Sequence, residues 1–359
     1  MIHHETYMRR CLQLAALAIG DVAPNPVVGS VLVHKERIIG EGYHKEYGKA
    51  HAEVACIASV KEEDLSLIPE STLYVSLEPC AHFGKTPPCA DLIIQKKISK
   101  VVIGCRDPFA EVNGKGIEKL RAAGIEVELG VLEKESREIN KRFFLFHTVH
   151  RPYVTLKWAQ TADGKIAAED YGRVLISNAY TARLVHKWRS QEMAIVVGTN
   201  TALFDDPELS TRHWPGKNPV RIVVDMHLRL PSSLKLFNGE IPTVVFNLHR
   251  HTLPFEKISV AQLQETGLGY YQVTEDVSLV DQMLNGLYRL GIQSILVEGG
   301  TQLLQSFIDA GVWDEARIIS NEGLEIGSGL QAPALKKASL VKKETVFTDA
   351  IRYYKPLPA

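Results

Sequence analysis

Three short segments in the first ninety residues constrain this chain more than its bulk composition does: His51-Ala52-Glu53, then Glu78-Pro79-Cys80, then Pro87-Pro88-Cys89. One imidazole and two thiols are borderline-soft donors suited to tetrahedral Zn²⁺, so the fold must gather them from well-separated positions. Three protein ligands leave a fourth position open for water, as a catalytic zinc requires, whereas a structural zinc is more often closed by protein. Two residues apart, His51 and Glu53 point to different sides of a helix, so the pair is expected at a helix start, where both can approach one site. Glu53 is then placed to carry protons. Pro87 and Pro88 fix the backbone at the start of a helix, where unpaired amides favour the thiolate of Cys89. Cys11, Cys56 and Cys105 lie among aliphatic residues and read as small buried apolar groups.

At 359 residues the chain exceeds what one hydrophobic core usually supports, and two domains are expected. Apolar periodicity predicts a helix over Tyr7 to Ile19, a hairpin over Val31 to Ile39, a helix from near His51, strands at Thr72 to Leu77 and Val101 to Gly104, a helix at Gly116 to Ala123 and a strand at Ile125 to Leu129. From Glu133 to His150 the pattern turns charged and then aromatic. Arg151-Pro152 precedes a new strand at Tyr153 to Lys157, so the boundary is drawn there, giving domains 1–147 and 151–359. The second half alternates again, with strands at Ala194 to Val197, Arg221 to Val224, Thr243 to Phe246 and Ser294 to Val297. Helices are expected near Thr181 to Arg189, Ser278 to Leu290 and Gln302 to Ala310, and antiparallel strands around Thr345 to Tyr354. Both halves read as layered α/β domains.

Lys and Arg total 41 against 42 Asp and Glu, with no long block of one sign. That balance lacks the footprint of a nucleic-acid binder and favours small-molecule substrates. The polar stretch Met1 to Arg10, and the lack of any run of about 18 apolar residues, argue against secretion and membrane insertion and for the cytoplasm.

The ordered histidine, glutamate and two cysteines match the zinc-deaminase pattern. With Ala23-Pro24-Asn25-Pro26-Val27-Val28-Gly29, Gly42-Tyr43-His44, Leu77-Glu78-Pro79-Cys80, His82 to Cys89 and Asp107-Pro108, the first half resembles the bifunctional riboflavin-biosynthesis deaminase-reductases. Eight residues separate Cys80 from Cys89, against two or three in nucleic-acid and free-nucleoside deaminases, and the insert carries Gly84-Lys85-Thr86-Pro87-Pro88. The resemblance implies a cytidine-deaminase-like three-layer domain in which Asn25, His44, Lys85 and Asp107 contact a diaminopyrimidinone bearing a ribosylamino 5-phosphate. These residue types suit it: an amide for ring or ribose, an ammonium for phosphate, a carboxylate for an amino group. Phe109 departs from the family, standing where many members have Asn.

In the second half, Lys157 to Ala167, His186-Lys187-Trp188-Arg189, Val197-Gly198-Thr199-Asn200-Thr201, Asp205-Asp206-Pro207 with Leu209 and Arg212, and Val297-Glu298-Gly299-Gly300-Thr301 occur in the order of that family's reductase half. That half is similar in fold to dihydrofolate reductase, so a dihydrofolate-reductase-like α/β domain is implied. The Gly-Gly step follows an apolar strand and precedes a helix, where backbone amides can approach a cofactor phosphate. By resemblance, Ala159, Thr201, Asp205, Gly299, Gly300, Thr301, Gln302, Leu303 and Leu304 contact NADPH. Arg189, Leu209, Arg212 and Glu298 contact substrate, the two arginines as a clamp on the ribose phosphate. Lys157 and Asp205 are the possible proton donors, with solvent a third source. The resemblance spans residues 5 to 355 and implies a homo-oligomer, a dimer or tetramer. Arg173 to Ser177 and Met226 depart from the usual family pattern. Two other readings use the same residues: a nucleic-acid base deaminase, and a deaminase whose second domain is non-catalytic.

Overall fold

In the computed structural model, which describes residues 4–83, 87–169, 174–254 and 260–358, the chain divides into two compact units, one ending at Val149 and the other beginning at His150.

The first unit is built on a five-stranded sheet in the order β2-β1-β3-β4-β5, with β1 Gly29–His34, β2 Arg37–Tyr43, β3 Thr72–Leu77, β4 Lys100–Cys105 and β5 Glu126–Leu129. Strand β1 runs antiparallel to both neighbours, while β3, β4 and β5 are parallel. Because successive side chains point to opposite faces, the apolar runs of β1, β3 and β4 fill two cores at once. Val31, Val33, Tyr74 and Val102 pack with Met8, Cys11 and Leu14 of α1 His4–Ala16. Leu32, Leu73, Val75, Val101 and Ile103 pack with Cys56 and Ile57 of α2 Ala52–Ala58, Ala90 and Ile93 of α3 Cys89–Gln95, and Ile117 and Leu120 of α4 Lys115–Ala122. The result is the expected three-layer arrangement. Gly42 lets α2 press onto β2, since a Cβ there would lie 2.2 Å from the Cys56 amide nitrogen. Helix α1 ends at Ala16, three residues before the periodicity does, and Leu17 to Ile19 continue as turns. The charged-then-aromatic stretch forms two helices, α5 Glu133–Ile139 and α6 Lys141–Val149. Phe143 and Phe144 of α6 are buried with Leu77 and Cys105.

The second unit has a nine-stranded sheet in the order β11-β10-β9-β8-β12-β6-β13-β16-β15. Its strands are β6 Tyr153–Thr161, β8 Ala194–Gly198, β9 Val220–Val224, β10 Thr243–Asn247, β11 Leu268–Gln272, β12 Ser294–Gly299, β13 Glu315–Asn321, β15 Ala338–Val346 and β16 Asp349–Pro356. Those from β11 to β13 are parallel, and β16 and β15 add an antiparallel edge. A separate ribbon pairs β7 Lys165–Ala168 with β14 Gly329–Gln331. The helices are α7 Ala179–Ser190, α8 Thr199–Asp205, α9 Val260–Thr266, α10 Leu279–Arg289 and α11 Thr301–Ala310. Val154, Val196, Ile222 and Val297 face Leu284 and Leu287 of α10 and Leu304 and Phe307 of α11. Leu296 and Ile319 face Val185 and Trp188 of α7. No described helix is long and apolar enough to cross a membrane.

Candidate functional sites

In the first unit, the chemistry collects beyond the carboxyl ends of β3 and β4, where open parallel sheets present loops to ligands. His51 is the N-cap of α2 and Glu53 falls in its first turn, the helix-start placement their spacing called for. Cys80 follows β3, and Cys89 begins α3 with Pro88 as its N-cap. His51 Nδ1 lies 3.6 Å from Cys80 Sγ and 3.4 Å from Cys89 Sγ, and one donor atom from each residue lies within 4.8 Å of the others. With Zn–S near 2.3 Å and Zn–N near 2.0–2.1 Å, neighbouring ligands of a tetrahedral ion sit about 3.5 Å apart, so the trio fits zinc. The Cys80 thiol is drawn down to about 4, first by the Cys89 side chain beside it and then, against burial, by His51. Its backbone support is a 3.3 Å hydrogen bond from the Cys89 N–H. The Cys89 thiol is raised, first by Cys80 beside it and then by burial, and a zinc ion held by the trio would take both cysteines as thiolates.

Glu53 is only 3% exposed, and burial, reinforced by the Cys80 charge, raises its carboxyl to about 7. His44 is also buried. Its Nδ1 faces the Ala50 carbonyl at 3.0 Å, and a carbonyl only accepts, so Nδ1 carries the proton. Nε2 then accepts from Asn25 Nδ2 at 3.0 Å, leaving the Asn25 carbonyl oxygen for another donor. The His44 ring meets His51 edge-on at 5.3 Å. Asn25, His44, His51, Glu53, Cys80 and Cys89 therefore form one connected group. Asp107, after β4, is buried and raised to about 7 by that burial, and it accepts the Phe109 N–H at 2.8 Å. Phe109 itself contacts the His82 and His147 rings edge-on. Lys85 lies outside the described residues.

Glu78 belongs to a quoted motif, but sequence reasoning gave it no task. Its buried carboxylate accepts backbone N–H groups from Asp107, Gly114, Gly116 and Ile117 at 3.0–3.3 Å, fixing the loop that bears Asp107 to the strand that bears Cys80. A glutamate directly after a strand whose residues from Leu73 to Leu77 are all buried is the feature that marks it. Glu78→Ala leaves these donors unpaired, and we expect a loss of about 2–4 kcal/mol. Faster hydrogen exchange at Gly114, Gly116 and Ile117 is the check; unchanged protection would deny Glu78 that role.

In the second unit, the corresponding region lies beyond β8 and β12. Gly198 and Gly300 are the N-caps of α8 and α11. Gly299 packs so closely on Thr201 that a Cβ there would fall 2.8 Å from the threonine side chain, and Gly300 has φ 76°, a conformation glycine adopts without strain. Thr201 and the Gly-Gly step are thereby adjacent. The side chains of Leu303 and Leu304 enter the core and Thr301 Oγ1 donates to the Gln331 carbonyl, whereas Gln302 is exposed. Asp205 ends the helix bearing Thr201, and Ala159 lies on β6.

Arg189 and Glu298 meet each other: Nε to Oε1 at 2.8 Å and Nη2 to Oε2 at 2.7 Å, with Nη1 donating to the Ser210 carbonyl at 3.1 Å. Lys157 Nζ stands 3.8 Å from the same carboxylate, its pKa lowered by burial. Arg212 is half exposed and reaches Glu208 and Ser210, so of the two arginines it is the one turned to solvent. Leu209 is buried in the core with φ 52°, which leaves its backbone as the part able to meet a ligand. Met226 also packs against the core.

Residues 1–105 match the family model described as the cytidine and deoxycytidylate deaminase zinc-binding region, and residues 152–324 match the RibD C-terminal domain. The chain is 40% identical over 349 residues to the riboflavin biosynthesis protein RibD of Aquifex aeolicus, covering 95% of this chain and 94% of that one. It is 38% identical to the protein of the same name from Bacillus amyloliquefaciens, over 87% and 82% of the two chains. A Thermotoga maritima crystal structure, titled a diaminohydroxyphosphoribosylaminopyrimidine deaminase/5-amino-6-(5-phosphoribosylamino)uracil reductase, superposes with TM-score 0.87 at 35% identity over 98% of both chains.

Proposed function

The chain belongs to the RibD family of riboflavin-biosynthesis enzymes, with a deaminase in its first half and a reductase in its second, and from that membership we propose how its own residues divide the work. In the first domain, drawn as 1–147, His51, Cys80 and Cys89 hold zinc. The observation that carries this reading is the meeting of their three donor atoms beside the buried Glu53. Zinc, when bound there, polarises the attacking water. Glu53 would take one proton from that water and pass it to a ring nitrogen as the hydroxyl adds, then carry the remaining hydroxyl proton to the amino group as it departs as ammonia. Water enters, ammonia leaves, and the 2-amino group of 2,5-diamino-6-ribosylamino-4(3H)-pyrimidinone 5′-phosphate becomes a carbonyl. Asn25, oriented by His44, and Asp107, anchored through Glu78, position the ring; Lys85 meets the phosphate.

In the second domain, 151–359, the amides at Gly299 to Leu304, with Ala159, Thr201 and Asp205, bind NADPH. The cofactor supplies hydride to the anomeric carbon of the ring-opened imine, giving the ribitylamino product. Glu298, held by Arg189, accepts from sugar hydroxyls, the Leu209 backbone lines the site, and Arg212 meets the phosphate. Lys157 is the better-placed proton donor, because burial lowers its pKa and it already faces Glu298. We place the enzyme in the cytoplasm as a homodimer or tetramer acting on small molecules.

Incubation with the diaminopyrimidinone phosphate, followed by mass analysis, is expected to show the uracil product alone without NADPH and the ribityl product with it. Stripping the metal with a chelator should abolish the first product while reduction of supplied deaminated substrate persists. Oligonucleotide deamination without turnover of the pyrimidine would support the nucleic-acid reading instead. A folded second domain that consumes no NADPH would make it a non-catalytic module.

A further inference from the structure

Asn25 lies on the segment between α1 and β1, where no strand pairing sets the path of the chain. What holds that segment comes from far along the sequence. The Asn140 carboxamide takes both backbone groups of Val27: Oδ1 accepts the Val27 N–H at 2.8 Å and Nδ2 donates to the Val27 carbonyl at 2.9 Å, across 113 positions. A carboxamide has the donor and acceptor of a peptide unit, so Asn140 pairs with Val27 as a residue of a neighbouring strand would. Both residues are buried, so water cannot take over either bond. One residue on, the Val28 carbonyl accepts the His44 N–H at 3.0 Å, and the Gly29 N–H then donates to Ser76 Oγ at 3.1 Å. Asn25 therefore stands two residues from a fixed point, and its own N–H donates to the Val22 carbonyl at 2.9 Å.

Asn140 in turn stands on the frame of the metal site. It joins α5 to α6: its N–H donates to the Arg137 carbonyl at 3.1 Å, and its carbonyl accepts the Phe144 N–H at 2.9 Å. Phe143 and Phe144, on the turn that follows, are buried with Leu77 and Cys105, the last residues of β3 and β4. Glu78-Pro79-Cys80 continues directly from Leu77, and Asp107 lies two residues past Cys105. Asn140 thus connects the strands that lead to a zinc-fitting thiol with the loop that carries Asn25. We propose that Asn140 is a positioning residue for deamination, acting through Val27 to set the Asn25 carboxamide, with His44, at a fixed place relative to Cys80 and Glu53. Misplacing an orienting group by about 1 Å can cost about 10²-fold in rate, which gives such a clamp its weight. The inference rests on the reading above that Asn25 contacts the pyrimidine.

The test is a double-mutant cycle on the zinc-loaded full chain, read as kcat/KM for ammonia release from the diaminopyrimidinone phosphate. Asn25→Ala and Asn140→Ala are each expected to lower kcat/KM about 10- to 100-fold, with zinc still bound stoichiometrically. In the Asn25→Ala background, Asn140→Ala should cost less than about threefold more, because the group it positions is already gone. A residue that merely supports the fold would cost the same factor in either background. Asn140→Asp still accepts the Val27 N–H, so it should lose less than Asn140→Ala and be equally silent in the Asn25→Ala background. The cycle run with it decides the matter where the alanine variant fails to fold. Factors that multiply in the double variant, or Asn140 variants with wild-type kcat/KM, would overturn the proposal while leaving Asn25 as a substrate contact. Wild-type kcat/KM in Asn25→Ala would remove that contact, and this proposal with it.

Discussion

Replacing Glu53 by Gln is expected to lower deamination by about 10²- to 10⁴-fold, with zinc still bound stoichiometrically and reduction of supplied deaminated substrate unaffected. The substitution preserves volume and polarity at a site that is 3% exposed, so little repacking follows. What it removes is a carboxyl group that burial and the neighbouring Cys80 charge hold near 7, where it can both accept and release a proton at neutral pH. An amide can do neither. The zinc-fitting group consists of His51, Cys80 and Cys89, so metal content should survive. Ammonia release and elemental analysis of the same sample separate the two roles. Activity within a few-fold of wild type would take Glu53 out of the proton path, and loss of zinc would make it a ligand instead.

The metal trio was legible in the sequence because each member sits in a distinctive local context: a histidine at a helix start and two cysteines preceded by proline. The parallel strands were legible for a similar reason, since strands buried on both faces read as continuous apolar runs. Strand β13 escaped that reading. Its Glu315 and Arg317 alternate with apolar residues and suggest a half-exposed element, yet both are buried and paired at 2.7 Å, with the guanidinium over Trp188. The Glu133 to His150 stretch carried no helical assignment in the sequence, because its charges mask the burial of Phe143 and Phe144. Glu78 and the Arg189–Glu298 pair were hidden for another reason. Their partners are backbone amides or side chains far along the chain, 109 positions in the latter case, and local sequence cannot specify such a meeting.

Glu298→Ala is expected to destabilise the second unit by about 3–5 kcal/mol, since it leaves Arg189 and Lys157 facing one another without a counter-charge. Tryptophan fluorescence in urea reads this unit alone, because Trp158, Trp188, Trp214 and Trp313 all lie in it. Removing both ends, as in Arg189→Met/Glu298→Met, should recover much of the loss, because the cost comes from an unpaired buried charge more than from the missing attraction. Burial pushes the Glu298 carboxyl up, but Arg189 and then Lys157 override it and hold the group at about 2, against its ordinary 4.5. A carboxylate depressed on folding contributes stability that is complete above its unfolded value and is lost as pH falls toward the folded one. The wild-type urea midpoint should therefore drop between about pH 5 and about pH 2, and Glu298→Gln, which cannot ionise, should flatten that drop. An equal slope in both proteins would place the acid sensitivity elsewhere and leave the Arg189–Glu298 pair without the electrostatic weight assigned to it.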